Sequence, residues 1–220
     1  MKNIPRIFIG NDIKTGDIIP ANRDSVHYLT RVMRRRDFLA FGGGVEFNAS
    51  ISDDDKNFII GEKTNHTDFL KDITLYFAPI KKTDDLINMA TQMGVTRFQP
   101  VITEYTVASH INWERMRKIA IEASEQSNRN SVPEICPAVR FTELDLSNII
   151  FADERTVYGK KSTSCATGNS ILIGPEGGFS DSEFAALDKA GATGISLGKT
   201  ILRAEVAAII ALDRIMVAKI

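Results

Sequence analysis

SILIGPEGGFSDSEF, residues 170–184, and ISLGKTILRAEVA, residues 195–207, are the two segments that indicate the fold. In each, a short apolar run leads into a glycine turn; the first turn begins at Gly174, and the second follows Ile195–Leu197 at Gly198. Apolar runs of this length bounded by glycine predict buried strands. Because ligands of open α/β sheets bind beyond the carboxyl ends of the strands, the two turns predict a backbone-lined pocket. For the first segment alone, a strand-to-helix turn without a ligand is the alternative.

The chain after Asp72 alternates apolar strands with helices of ten or more residues. This alternation is typical of βαβ units and predicts an α/β domain with a largely parallel sheet. Its last predicted helix, Arg203–Ala218, is apolar on nearly every side. Such a helix needs cover on nearly every side, which predicts a subunit interface.

The first 70 residues contain short apolar runs separated by Gly and Asp, which predict a small β-barrel or β-sandwich. A helix is predicted at Ser25–Met33, with Asp24 or Ser25 as its N-cap. Residues 1–36 carry eight Lys and Arg against three acidic residues, and this helix carries part of that charge. Arg31, Arg34 and Arg35 fall at neighbouring helical positions beside His27, and such a cationic face could hold a phosphate backbone. The alternative is a solvated helix face balanced by Asp53–Asp55.

The composition of the chain and the motifs that it lacks argue against several classes of protein. A net charge of -1 and a hydrophobic fraction of 43% are ordinary for a globular chain of 220 residues. No signal-peptide pattern or membrane-length apolar run is present, so we expect a cytoplasmic protein with no membrane association. Phosphate-loop, G-x-S-x-G and dinucleotide motifs are lacking as well. No metal site or disulfide is expected from the spacing of Cys136, Cys165, His27, His66 and His110.

Polar side chains cluster at the end of another predicted helix, within residues 122–130. A carboxylate, an amide and a guanidinium recur there at helical spacing, at Glu122, Glu125, Gln126 and Arg129. A capped and hydrated helix terminus is the alternative interpretation. Glu104 and Tyr105 follow another predicted strand, where a functional side chain is also expected.

Four motifs stand in order along the chain: H-Y-L-x-R-V-M-R at 27–34, E-Q-x-x-R at 125–129, L-I-G-P-E-G-G-F-S at 172–180 and L-G-x-x-I-L-R-x-E at 197–205. Together they resemble the RsmE family of bacterial 16S ribosomal RNA methyltransferases. The resemblance spans essentially the whole chain, and the last two motifs are its most specific part.

This resemblance implies methylation of the N3 atom of a uridine in 16S rRNA, with S-adenosylmethionine as cofactor and no metal. It implies an α/β fold with two domains: a PUA-like RNA-binding β-barrel over residues 1–70 and a SPOUT methyltransferase domain with a deep trefoil knot over residues 71–220. It also implies a homodimer that acts on rRNA within the assembled small ribosomal subunit. Two alternatives stay open: another SPOUT enzyme acting on tRNA or on a ribose hydroxyl, and an RNA-binding assembly factor whose methylation site has decayed.

The same resemblance assigns site residues. RNA would be held by Arg6, His27, Arg31, Arg34 and Arg129. The cofactor would be held mainly through backbone groups, at Leu172, Ile173, Gly174, Pro175, Glu176, Gly177, Gly178, Leu197, Gly198, Ile201, Leu202 and Arg203. The chain departs from the family pattern, which commonly has other residues at Lys199, Thr200, Ala204 and Val206, and Cys and Gly at Ser127 and Asn128. These departures argue against roles for the missing side chains, including a thiol.

Uridine N3 carries a proton that must be removed before a methyl group can bind there. Arg203 is the predicted catalytic residue that stabilises negative charge on the uracil carbonyls. Glu205 or Glu125 is the predicted base, or the group that orients the base. Alternatively, Glu205 only holds Arg203 in place.

Overall fold

The computed structural model describes residues 4–68, 71–107, 111–164 and 166–217. The chain forms two compact units, one made of Met1–Phe69 with Ile121–Val132 and the other of Leu70–Ala120 with Pro133–Ile220. The expected boundary follows residue 70, which lies outside the described residues. Ile121–Val132, which the sequence groups with the C-terminal part, belongs to the first unit because its backbone is hydrogen-bonded to Arg6 and Gly44.

The first unit contains a mixed five-stranded sheet in the order β1-β3-β4-β5-β2. Its strands are β1 (Arg6–Phe8), β2 (Ile18–Pro20), β3 (Asp37–Gly42), β4 (Val45–Ile51) and β5 (Asn57–Lys63). β1 pairs with β3 in parallel, and the other pairs are antiparallel. The predicted small β domain is therefore confirmed at the level of a β-sheet. β2 was not predicted, because it is a three-residue edge strand with no alternation of buried and exposed side chains. Its Ile18 is 67% exposed.

The helix of the first unit starts two residues before its predicted beginning at Ser25 and ends at Met33, as predicted. Helix α1 spans Arg23–His27 and continues as a π-helical turn over Tyr28–Met33. Its N-cap is Asn22, not Asp24 or Ser25, because the Asn22 side chain accepts the Ser25 N–H at 2.8 Å. Arg34 ends the turn in a left-handed conformation, so it lies beyond the helix and not on its face.

A buried polar network joins the first unit's sheet to its second segment. The Arg6 guanidinium, only 9% exposed, donates to Glu46 at 2.9 Å and to the carbonyls of Ser124 and Arg129. It also donates to Asn130 Oδ1 at 2.6 Å and stacks over the Phe41 ring. These contacts give Arg6 a role within the unit's interior, and they engage the side chain that the resemblance assigned to RNA.

We expect Arg6→Ala to destabilise the protein by about 3–5 kcal/mol, because removal of one partner leaves the buried Glu46 charge uncompensated. Urea unfolding measures the change. The matched control is Arg35→Ala, which breaks a more exposed pair with Asp37 and should cost at most about 1 kcal/mol. A variant of Arg6 that keeps wild-type stability and loses RNA affinity would instead support the assignment to RNA.

The second unit contains a seven-stranded sheet in which every described pairing is parallel. Its strands are β6 (Thr74–Phe77), β7 (Arg97–Ile102), β8 (Glu134–Ile135), β9 (Val139–Arg140), β10 (Ile150–Ala152), β11 (Ser170–Ile173) and β12 (Thr193–Ile195). The order is β12-β10-β11-β6-β7-β8, with β9 beside β7. The predicted α/β fold with a parallel sheet is confirmed.

Four α-helices accompany this sheet in the sequence: α2 (Thr83–Gln92), α3 (Trp113–Gln126), α4 (Asp181–Lys189) and α5 (Ala204–Val217). The last six residues of α3 belong to the first unit. A 3-10 turn follows β10 at Glu154–Tyr158. The predicted end of the last helix, Ala218, lies outside the described residues. None of the helices in the described ranges is long and apolar enough to cross a membrane.

The strand predicted at Ile195–Leu197 is misplaced by two residues. β12 spans Thr193–Ile195, and Leu197 belongs to the loop that leads to α5. Thr193 and Gly194 begin the strand by pairing with β10, although a Thr-Gly pair has little apolar character of its own. The apolar run therefore marks the strand's end and the first residues of the loop.

Candidate functional site

A cavity of about 260 Å³ opens at the carboxyl ends of three strands that lie side by side, β12, β10 and β11. Its walls come from the segments that follow these strands: the 3-10 turn after β10, the glycine turn after β11 and the loop after β12. This is the edge of a parallel sheet at which ligands are expected to bind. The sequence predicted two of the three segments.

Most of the predicted cofactor residues line this cavity. They are Ile173, Gly174, Pro175, Glu176, Gly178, Leu197, Gly198, Ile201, Leu202 and Arg203. Leu172 does not, because its side chain is fully buried in the aromatic core of the second unit. Gly177 does not either, and it lies against the side chain of Tyr105. Tyr105 is thus beside the glycine turn, but it does not belong to the cavity wall.

The glycine turn is shaped by two close approaches. Gly178 has φ +74°, and a Cβ at this position would lie 2.1 Å from Glu154 Oε1. A Cβ at Gly174 would lie 3.1 Å from the ring of Phe179. Phe179 in turn packs edge-on against Phe151 and Phe184 in the core. The packed core therefore holds the turn in place through Phe179, while Gly174 and Gly178 line the cavity.

The loop after β12 presents Arg203 with no side-chain partner among the described residues. Arg203 is exposed, lines the cavity and makes no salt bridge within the described ranges. The loop itself is held by Arg214, which donates to the Ser196 carbonyl at 2.6 Å, and by a contact of 3.2 Å between the hydroxyls of Ser196 and Thr156. A guanidinium that no described carboxylate neutralises, on a loop held in place, is suited to an anionic ligand.

Glu205 has a different partner from the one that the sequence suggested. It lies in the first turn of α5 and is 7% exposed, and its carboxylate is 3.9 Å from Lys82 Nζ. Over the described residues, no salt bridge joins Glu205 to Arg203, and Glu205 does not line the cavity. The structure thus offers no contact for the alternative in which Glu205 orients Arg203. Lys82 was missed by the sequence analysis.

Glu125 lies in the first unit, at the end of α3. One of its carboxylate oxygens accepts the Phe8 N–H at 3.1 Å. Burial raises the pKa of Glu125, while the hydrogen bond from Phe8 opposes the shift. This hydrogen bond gives the Glu125 carboxylate a structural role within the first unit.

The 3-10 turn after β10 supplies a carboxylate that the sequence analysis missed. Glu154 lines the cavity, half-buried beside Gly178. The preceding Asp153 is almost fully buried and begins the turn by accepting the Arg155 N–H at 3.1 Å. The signal that could have revealed Glu154 is its place directly after a predicted strand, the rule that selected Glu104 and Tyr105.

The residues predicted to hold RNA fall into two groups, all in the first unit. His27, Arg31 and Arg34 are exposed, and none of the three has an ion-pair partner among the described residues. Arg6 and Arg129 are buried, and burial lowers the pKa of Arg129 to about 10 against an opposing effect of Asp68. Asp55 is hydrogen-bonded to Arg36. The acidic loop therefore neutralises a cation other than His27, Arg31 and Arg34.

In the parts of the chain that the structure describes, no three His, Cys, Asp or Glu side chains are grouped as metal ligands. Cys165 and His110 lie outside those parts. Cys136 is half-buried, and burial raises the pKa of its thiol.

Comparison with known proteins identifies the family. The profile of the RNA methyltransferase domain matches residues 68–216. A ribosomal RNA small subunit methyltransferase E from Rickettsia conorii is 34% identical over 96% of this chain and 94% of its own length. The chain belongs to the ribosomal RNA small subunit methyltransferase E family.

Solved structures agree with this family in their fold. A ribosomal RNA small subunit methyltransferase E from Neisseria gonorrhoeae, bound to S-adenosyl methionine, has a TM-score of 0.81 and 24% identity, with 98% of both chains covered. A probable rRNA-methyltransferase from Porphyromonas gingivalis has a TM-score of 0.81 and 26% identity, covering 97% of this chain and 98% of its own. Both units of this methyltransferase E family member therefore have counterparts of known structure.

Proposed function

We propose that the chain methylates the N3 atom of a uridine in the 16S rRNA of the small ribosomal subunit, with S-adenosylmethionine as cofactor. The observation that carries the proposal is the cavity beyond β12, β10 and β11. The glycine turn after β11 and the loop after β12 both line it, and so does Arg203, which has no ion-pair partner among the described residues. The Rickettsia conorii relative is named a ribosomal RNA methyltransferase, which supports ribosomal RNA as the substrate class.

The cavity fits the proposed cofactor in its chemistry. S-adenosylmethionine has an aromatic base, a zwitterionic amino acid and a sulfonium that supplies the methyl group. The cavity has apolar walls at Ile173, Ile201 and Leu202 and the glycine turn at Gly174 and Gly178. It also has one charge of each sign, Arg203 and Glu154, for which the described residues offer no ion-pair partner. We propose that the apolar side chains pack against the base and that the predicted residues of both loops hold the rest.

Arg203 is proposed as the catalytic residue. Loss of the N3 proton leaves negative charge on the uracil carbonyl oxygens, and a guanidinium that is not neutralised by protein carboxylates can stabilise it. Glu205, paired with Lys82, is proposed as a positioning residue at the start of α5. Glu125 is proposed as a base, and its raised pKa is consistent with this role. The same carboxylate accepts the Phe8 N–H.

The finer architecture of the family is part of the proposal. We propose a PUA-like RNA-binding barrel over residues 1–70 and a SPOUT domain with a trefoil knot over residues 71–220. Support for the knot comes from the strand order β12-β10-β11, which differs from the order along the chain, and from the loops after these three strands, which all line one cavity.

Support for a homodimer comes from α5, where Val206 remains 41% exposed on a helix rich in apolar residues. The substrate is proposed to be rRNA in the assembled small subunit, in the cytoplasm.

The exposed cations of the first unit are proposed to hold RNA phosphates. We expect Arg31→Ala and Arg34→Ala each to weaken RNA binding at every sequence tested and to reduce the slope of log K against log salt by about 1. Fluorescence titration at several salt concentrations measures this slope. Arg36→Ala is the control, since Arg36 is already engaged by Asp55 and the Ser52 carbonyl and should change the slope less. Unchanged slopes for all three variants would contradict the proposed surface.

Mass spectrometry of RNA from cells that lack this protein tests the function. Loss of one uridine methyl group from 16S rRNA, restored by the wild-type gene, is the expected result. Loss from tRNA, or of a ribose methyl group, would replace the proposal with another SPOUT activity. An unchanged methylation pattern would favour an assembly factor with a decayed site.

A further inference from the structure

Glu154 is a carboxylate in the cavity wall that has no partner among the described residues. Its side chain forms no hydrogen bond or salt bridge to any described residue. Burial raises the pKa of its carboxyl group, the neighbouring Asp153 charge adds to the shift, and Arg155 opposes it. Carboxylates in such places are costly unless a ligand supplies the missing positive charge.

The backbone that carries Glu154 is held firmly by its neighbours. Asp153 accepts two hydrogen bonds of 2.8 Å from the Arg155 guanidinium, and Lys160 Nζ lies 3.3 Å from the same carboxylate. Arg155 also pairs with Asp188 and stacks at 3.9 Å over the Phe184 ring. The charged side chains next to Glu154 in the sequence thus neutralise one another, and the Glu154 carboxylate takes no part in their network.

The other carboxylates of the cavity wall are already engaged. Asp153 belongs to the network just described, and Glu176 Oε1 accepts the Lys81 N–H at 3.1 Å. Glu154 Oε1 instead lies where a side chain at position 178 would begin. Gly178 therefore leaves room for this carboxylate to approach the glycine turn.

We propose that Glu154 binds the α-ammonium group of the cofactor's amino acid. The inference rests on the proposed function, since it takes S-adenosylmethionine as the occupant of the cavity. A charge-assisted hydrogen bond between the two groups satisfies the carboxylate.

The ammonium group suits this role better than the sulfonium. The ammonium charge is the same before and during methyl transfer, so a carboxylate there strengthens binding without opposing the reaction. The sulfonium charge disappears during transfer, and a carboxylate beside it would stabilise the ground state more than the transition state. Recognition of the ammonium also predicts equal help for the cofactor and its demethylated product, since both keep this group.

Calorimetry with three ligands tests the proposal: S-adenosylmethionine, S-adenosylhomocysteine, and 5′-methylthioadenosine, which lacks the amino acid. We expect Glu154→Gln to weaken the first two by a similar factor of about 10 or more and to leave the third unchanged. Glu154→Asp, which keeps the charge on a shorter side chain, should lose less than Glu154→Gln. In steady-state kinetics, KM for the cofactor should rise while kcat stays near the wild-type value.

Other outcomes overturn the proposal. An equal loss for 5′-methylthioadenosine would assign Glu154 to the nucleoside, and a loss confined to S-adenosylmethionine would assign it to the sulfonium. A fall in kcat at unchanged KM would make Glu154 a catalytic group. Absence of binding of all three ligands to the wild-type protein would instead refute the proposed cofactor. Melting temperatures of the variants, expected to match the wild type, exclude misfolding as the cause of any loss.

Discussion

Arg203→Ala should methylate rRNA about 10²–10³ times more slowly than the wild type at saturating substrates. The reason is that Arg203 is an exposed cation in the cavity wall with no salt bridge to the described residues, so its charge is available to the uracil carbonyls. Single-turnover transfer of a labelled methyl group to small-subunit rRNA measures the rate. Arg203→Lys should recover only part of it, because an ammonium lacks the planar pair of donors.

The control for this experiment lies on the same loop. Lys199 is exposed four residues before Arg203 and does not line the cavity, so Lys199→Ala should keep a kcat close to the wild type. A similar loss in both variants would mean that the loop's overall charge matters and not the position of one guanidinium. Wild-type turnover by Arg203→Ala would rule out the catalytic assignment.

Local sequence patterns predict the parts of the site that depend on neighbouring residues. The apolar run Ile171–Ile173 followed by Gly174 correctly predicted both a buried strand and a turn in the cavity wall. The same reasoning placed β12 two residues too late, since Thr193 and Gly194 become strand residues only by pairing with β10. Long-range pairing, which no local pattern encodes, decides such boundaries.

Side-chain roles that depend on distant partners could not be predicted in the same way. Arg6 is part of a basic N-terminal stretch, yet its partners lie in β4 and beyond α3, and they bury it. Glu205 follows Arg203 by two residues, but its ion partner is Lys82, at the start of α2. Glu154 is one of several charges after β10. Only the structure shows that Asp153 is engaged with Arg155 while Glu154 forms no ion pair with a described residue.

Gly178→Trp should abolish measurable binding of S-adenosylmethionine. A side chain at this position starts within 2.1 Å of Glu154 Oε1, so the indole must displace that carboxylate and occupy space at the cavity wall. Binding should fall by more than about 100-fold, since both the volume and a charged contact are lost together. Isothermal titration calorimetry of the purified variant gives the affinity directly.

The backbone itself could cause part of such a loss, because Gly178 has φ +74° and any other residue is strained there. Gly191 separates the two effects: it also has φ +74°, but a Cβ at Gly191 meets nothing within 4 Å. Gly191→Trp should therefore show a similar fall in stability, by thermal unfolding, with cofactor affinity near the wild type. Equal losses of affinity in both variants would trace the effect to strain, and tight binding by Gly178→Trp would place the cofactor elsewhere.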